Sequence, residues 1–180
     1  MSDSSISVVP RQSSYPNPKA KASEVLAWLV ALDVVEPTVS DCILGTKGGY
    51  SLSKGALQIV KEPFSLPFNQ TPNGLELITI RRIFDPAQYG LDGLMCPHCT
   101  ADISSLNLDF FTSWATGEDD TLACPQCEIA SDIHLYEFTP AWGFSNLGFT
   151  FWNWPEFTDV FIAAFEARLG CRTDIIHRYI

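Results

Sequence analysis

The residues of this chain best placed to do chemistry are four cysteines. Cys96-Pro97-His98-Cys99 and Cys124-Pro125-Gln126-Cys127 are two C-x2-C pairs separated by 24 residues. Two intervening residues let both sulfurs of a pair turn toward one point. Two such pairs complete a tetrahedron of thiolates around one Zn²⁺ at Zn–S distances of about 2.3 Å. Four thiolates leave no open position for water or substrate, so the expected ion is structural, one per chain. The same spacing serves redox dithiols, but two matched pairs favour metal. His98 lies inside the first pair and is read as a surface residue, because a fourth cysteine is already present.

The two pairs resemble the zinc-ribbon family over about residues 96–137, and the family's ligands fall on Cys96, Cys99, Cys124 and Cys127. That family usually has glycine directly after the second cysteine of each pair. Here the positions are Thr100 and Glu128. Beyond the ribbon, the chain resembles small bacterial proteins of unknown function that carry a ribbon before an F-x-F-W-N-W segment, a likeness that implies no activity. Many zinc ribbons bind nucleic acid or protein, while others only staple a loop.

Charge decides between those roles. Residues 1–90 hold eight basic and eight acidic residues; residues 91–180 hold three basic and thirteen acidic, which accounts for the whole net charge of −10. Between Leu91 and Thr139 there are nine acids and no Lys or Arg. Four thiolates on one Zn²⁺ would add about two more negative charges. Such a surface repels phosphate backbones, whose binding rests on Lys and Arg, and attracts a basic protein. A nucleic-acid face would have to come from Lys19, Lys21, Lys47, Lys54, Lys61 and Arg81 or Arg82.

Other catalytic signatures are missing. The chain has no H-E-x-x-H, G-x-S-x-G or phosphate-loop spacing. His98, His134 and His177 form no local motif. Cys42 and Cys171 are read as small apolar residues in strands. An enzyme is not expected, although an active site assembled only in three dimensions is the main alternative. No apolar run reaches the roughly 18 residues of a membrane helix, and a polar start without a signal peptide predicts a cytoplasmic protein.

The elements that must position the cysteines follow from periodicity. Helices are predicted at about 23–33 and 156–169, the second from Phe157, Phe161 and Phe165. Strands are predicted at 39–44, from Tyr50, at 75–84, 133–138 and 149–154, and in the last ten residues. A short helix is expected within 106–114. The result is an α+β fold: a mainly antiparallel sheet with two helices on one face and an inserted zinc-ribbon lobe at about 94–138. The strand–helix–strand ending suits a ferredoxin-like arrangement. Residues 1–20 are expected to form a flexible arm, and 21–180 a single domain.

The second unusual feature is aromatic. Strand alternation across 149–154 places Phe149 and Phe151 on one face and Trp152 and Trp154 on the other. A strand aromatic on both faces is either covered twice or exposed on one side, and exposed tryptophans are good binding hot spots. Trp142, Trp152 and Trp154, with the acidic turn Glu118, Asp119 and Asp120, are therefore the candidate partner-binding residues. The expected function is protein–protein interaction, including neutralisation of a basic partner of the immunity type.

Overall fold

Ser5-Ile6-Ser7-Val8 alternates polar and apolar residues, the pattern of a strand with one face buried. The computed structural model, which describes residues 2–106 and 109–180, builds it as β1 (Ser4–Pro10). α1 (Pro18–Ala31), β2 (Val35–Ser40), β3 (Gly49–Leu52), β4 (Leu75–Ile78) and β5 (Arg82–Phe84) follow. Next come β6 (Gly93–Met95), α2 (Phe110–Thr116), β7 (Thr121–Ala123), β8 (Ala130–Asp132) and β9 (Glu137–Thr139). β10 (Gly143–Ser145), β11 (Gly148–Trp152), α3 (Asp159–Leu169) and β12 (Thr173–Tyr179) complete the chain.

The main sheet has the order β12-β1-β11-β4-β3-β2, and every neighbouring pair is antiparallel. β1 lies between β11 and β12, with Val8 opposite Phe149 and Ile175. This corrects the expected N-terminal arm: residues 4–10 form an inner strand, and Val8 and Val9 are fully buried. Serine lowers the mean hydropathy of the segment, but Ser5 and Ser7 sit on one face and leave Ile6 and Val8 together on the other. α1 connects β1 to the β2–β3–β4 meander, and α3 connects β11 to β12. Taken as β1, β4, β11 and β12, the strands have the order 4-1-3-2 of a split β-α-β arrangement, extended at one edge by β2 and β3.

Both helices cover one face. Ala22, Val25 and Leu29 of α1 and Phe161, Phe165 and Leu169 of α3 share a core with Ile6, Val8, Leu75, Phe149 and Phe151. α3 starts at residue 159 because Thr158 caps it, its hydroxyl accepting the Phe161 N–H at 3.2 Å. Phe157 instead bridges to Val60. Asp159 and Arg168 suit the dipole, and Gly170, at φ 71°, ends the helix.

The opposite face carries the β5–β10 pair. Phe84 packs so closely over Gly148 that no Cβ fits there. This pairing explains why the expected strand 75–84 breaks: Leu75–Ile78 pairs with β11, and Arg82–Phe84 turns away to β10. The expected strand at 133–138 is also divided. Asp132 accepts the His134 N–H at 2.8 Å and holds residues 133–135 in a short 3-10 turn before β9. Asn107 and Leu108, within the expected 106–114 helix, lie outside the described residues. Among the described residues, no helix is long and apolar enough to cross a membrane.

Candidate metal centre

β6 and β9 pair from Gly93↔Thr139 to Met95↔Glu137, so the segment between them leaves and returns at one place. It has its own core of Leu94, Cys96, Ile103, Leu122, Cys124 and Tyr136. Each cysteine pair forms the same turn. The amide of Cys96 donates to Ala101 O, and that of Thr100 to Cys96 O; in the second turn Cys124 N donates to Ile129 O and Glu128 N to Cys124 O. His98 N and Gln126 N each point at the first sulfur of their own pair, at 3.4 Å. Thr100 and Glu128, where the resemblance called for glycine, both have positive φ.

These two turns bring the four sulfurs within 4.8 Å of one another. Cys96 Sγ lies 3.8 Å from Cys127 Sγ, and Cys99 Sγ lies 3.8 Å from Cys124 Sγ. Disulfide sulfurs would be about 2.05 Å apart. A tetrahedron with metal–sulfur bonds of about 2.3 Å has edges of about 3.8 Å, so the donor set fits a four-coordinate metal ion.

The electrostatics suit cation binding. Burial pushes the Cys96 thiol up, but the amides of Cys99 and His98 and the thiols of Cys124 and Cys99 outweigh it and bring the group down to about 6. The Ala101 amide favours the Cys99 thiolate, but burial and the neighbouring cysteines overcome it and push Cys99 up to about 11. The Cys127 thiol is also raised: the Ile129 amide and the Cys99 thiol oppose the shift, and burial with the Cys124 and Cys96 sulfurs prevails. Without a cation the cluster therefore favours one thiolate shared among thiols. A divalent ion removes that constraint.

Neighbouring side chains hold the cage. His98 Nε2 lies 2.7 Å from Ser131 Oγ, tying the first turn to β8 beside the second. Tyr136 packs on the cluster and donates its hydroxyl to Leu122 O at 2.9 Å; burial and the surrounding sulfurs raise its pKa. Asp102 accepts the Leu94 and Ser104 amides, both at 3.0 Å, and is held below the usual carboxylate range by them. The roles of His98, Ser131 and Tyr136 depend on neighbours distant in sequence, so spacing alone does not reveal them.

The other candidate residues are dispersed. Glu118 and Asp119 are exposed beside α2. Asp120 pairs with Arg81, whose guanidinium also lies 3.9 Å over the Trp114 ring and donates to Trp114 O at 2.6 Å. Trp142 is half-buried, stacks on Phe111 and donates to Gly90 O. Trp152 and Trp154 are 7% and 4% exposed, so the expected surface pair is instead interior. Trp152 donates to Glu76 and Trp154 to Asn73 O. Cys42 is buried beside Ile43 and Trp152. Burial raises the Cys171 thiol.

Comparison of the chain with protein-family models, with curated proteins and with solved structures gives no match.

Proposed function

We propose that this is a non-enzymatic, protein-binding protein of the cytoplasm, in which one structural zinc ion shapes an acidic lobe at residues 93–139 that engages a basic partner. The observation that carries this reading is the charge of the lobe. Of the nine acids between Leu91 and Thr139, Asp92, Asp102, Asp109, Glu118, Asp119, Glu128, Asp132 and Glu137 are exposed, and that stretch of sequence holds no Lys or Arg. Zinc is the metal of choice because four thiolates at tetrahedral spacing suit it and leave no site for substrate. A lobe of this size has a small core, and metal binding supplies stability that packing alone would not.

A field of one sign speeds encounter with a partner of the other and disfavours nucleic acid. Neutralisation of a basic, nuclease-like toxin is the specific form of the proposal. It is tested by recovering partners from native cells with the metal-loaded protein. A basic protein whose association slows as salt rises supports the reading; recovery of no partner, or binding indifferent to salt, overturns it.

The competing reading is an enzyme in which zinc only shapes a loop. It is favoured by a cavity of about 360 Å³ between α3 and β12, lined in part by Lys61, Glu156 and His177. A small-molecule turnover lost on His177→Ala, with zinc retained, would support it.

A further inference from the structure

The main sheet has two edges, and they are built differently. β2 is blunted: it contains Pro37, its register shifts between Val35 and Val39, and every residue after Val35 is exposed. These are features by which natural edge strands avoid pairing with other chains. β12 has none of them. Its seven residues lack Pro, Gly and Lys, and they pair with β1 without interruption from Thr173↔Pro10 to Tyr179↔Ser4. On its outer side, the bridge found among the described residues is Ala87↔Tyr179, at one end. Arg11 N donates to Arg172 O and Ile180 N to Asp3 O, so the even-numbered residues of β12 bond inward to β1. Of the outward ones, Thr173 N donates to Glu166 Oε1 at 3.0 Å and Tyr179 bridges Ala87, which leaves the backbone of Ile175 and His177 open.

The side chains of this strand are complementary to themselves. A two-fold axis normal to the sheet keeps each residue on its own face, so antiparallel self-pairing can centre only on a residue. Centred on Ile176, it opposes Asp174 to Arg178, Ile175 to His177, and Ile176 to its own copy. Centred on Ile175, it would set Arg172 against Arg178. Centred on His177, it would set Arg178 against Ile176 and Asp174 against Ile180. One register alone pairs opposite charges, and it is also the one that opposes the two open residues, Ile175 and His177, to each other.

We infer that two copies of this chain associate through β12, antiparallel and centred on Ile176, to form one continuous sheet. The charges around the strand extend the match. Arg11 Nε donates to Asp174 at 2.8 Å, and Arg178 Nη1 donates to Asp85 at 2.6 Å. Across the axis these form a row of alternating sign: Arg11, Asp174, the partner's Arg178, the partner's Asp85. On the helix side, Ile6, Phe157, Ile162 and Ile175 line the cavity along this edge. The second copy brings its own Ile175 to that border, opposite His177. Because each copy contributes the same strand, the pair closes as a two-fold dimer and leaves no open end for fibre growth.

The test is the mass of the full, metal-loaded chain by sedimentation equilibrium over a concentration series. A monomer–dimer equilibrium is expected. Asp174→Arg alone and Arg178→Asp alone each place like charges across both 174–178 pairs and should weaken the dimer about tenfold or more. An equimolar mixture of these two variants places opposite charges across every such pair and should restore association. A monomer at all concentrations overturns the inference. So do single variants that dimerise as tightly as the parent, or a mixture of folded variants that fails to associate. If either variant does not fold, amide exchange in the parent decides. Protection at Ile175 and His177 that rises with concentration supports the dimer, and protection indifferent to concentration overturns it.

Discussion

Thr100 and Glu128 occupy the same position in their two cysteine turns, with φ of 59° and 63°. Each follows the second cysteine of its pair, and each donates its amide to the first cysteine's carbonyl. A residue with a Cβ is strained in the left-handed region, and a β-branched one more so. Thr100→Gly should therefore raise stability by up to about 1 kcal/mol, and Glu128→Gly by less, because relief of strain is partly offset by the freer unfolded chain. Denaturant unfolding of the metal-loaded protein measures this, and a loss of stability in both variants would refute the strain argument.

Metal binding should be proton-linked. The ligands bind as thiolates, and in the metal-free cluster Cys99 is pushed up to about 11. Protons must leave as the ion enters, so apparent affinity rises with pH and falls on acidification. Metal competition titrations between about pH 6 and 8 should show this slope. Chelation should increase amide exchange first in residues 93–139, and Cys96→Ser or Cys124→Ser should do the same. Metal content near zero in protein purified without chelator would count against the site.

Asp102 adds a separate acid sensitivity. Its folded pKa is depressed by the Ser104 and Leu94 amides. Its contribution is present above the ordinary carboxylate pKa of about 4 and is lost as pH falls through the lower folded value. Asp102→Asn should flatten the acid limb of the stability profile of the metal-loaded protein, with metal content followed at each pH so that metal release is scored separately.

Arg81 joins the bend after β4 to α2 and the acidic turn through Trp114 and Asp120. Its replacement by Ala should cost about 2 kcal/mol, chiefly from the lost hydrogen bond and ring contact, because the half-exposed ion pair with Asp120 contributes little. Lysine should not restore it, since an ammonium lacks the planar fork that stacks and donates together. Trp114 fluorescence and thermal unfolding report the change.

Charge reversal at exposed positions separates binding from folding. Glu118→Lys and Glu137→Lys should shift stability by less than about 0.5 kcal/mol. They should also slow association with a basic partner, most at low salt. Equal association rates for parent and variants would remove the acidic face from the binding account.

The sequence revealed most where a local rule decides structure. Cysteine spacing located the four cysteines that cluster, and the Phe157–Phe161–Phe165 period located α3. It revealed least where long-range pairing decides. Ser5-Ile6-Ser7-Val8 has a strand's alternation, but its polar neighbours suggested an arm, and only β11 and β12 make it an inner strand. The break at residues 79–81 exists because β5 pairs with β10. Trp152 and Trp154 read equally well as interface or core. Trp152 is buried by β11's inner place in the sheet, and Trp154 by packing on Phe151 and Phe157 beyond the strand's end. Glu76 and Asn73 supply acceptors that periodicity does not identify.

The position of β1 also bears on the order of folding. Val8 pairs with Phe149, 149 − 8 = 141 residues away, and Ser4 pairs with Tyr179, 179 − 4 = 175 residues away. Contacts of such separation carry a large loop-closure cost and form slowly. Until β1 inserts, β11 has an open flank, and its Phe149-Thr150-Phe151-Trp152 segment is apolar, uncharged and free of proline. That segment is the aggregation hazard of the half-folded chain. Closure of the sheet by β1 is thus the step that protects the chain from self-association of the wrong kind.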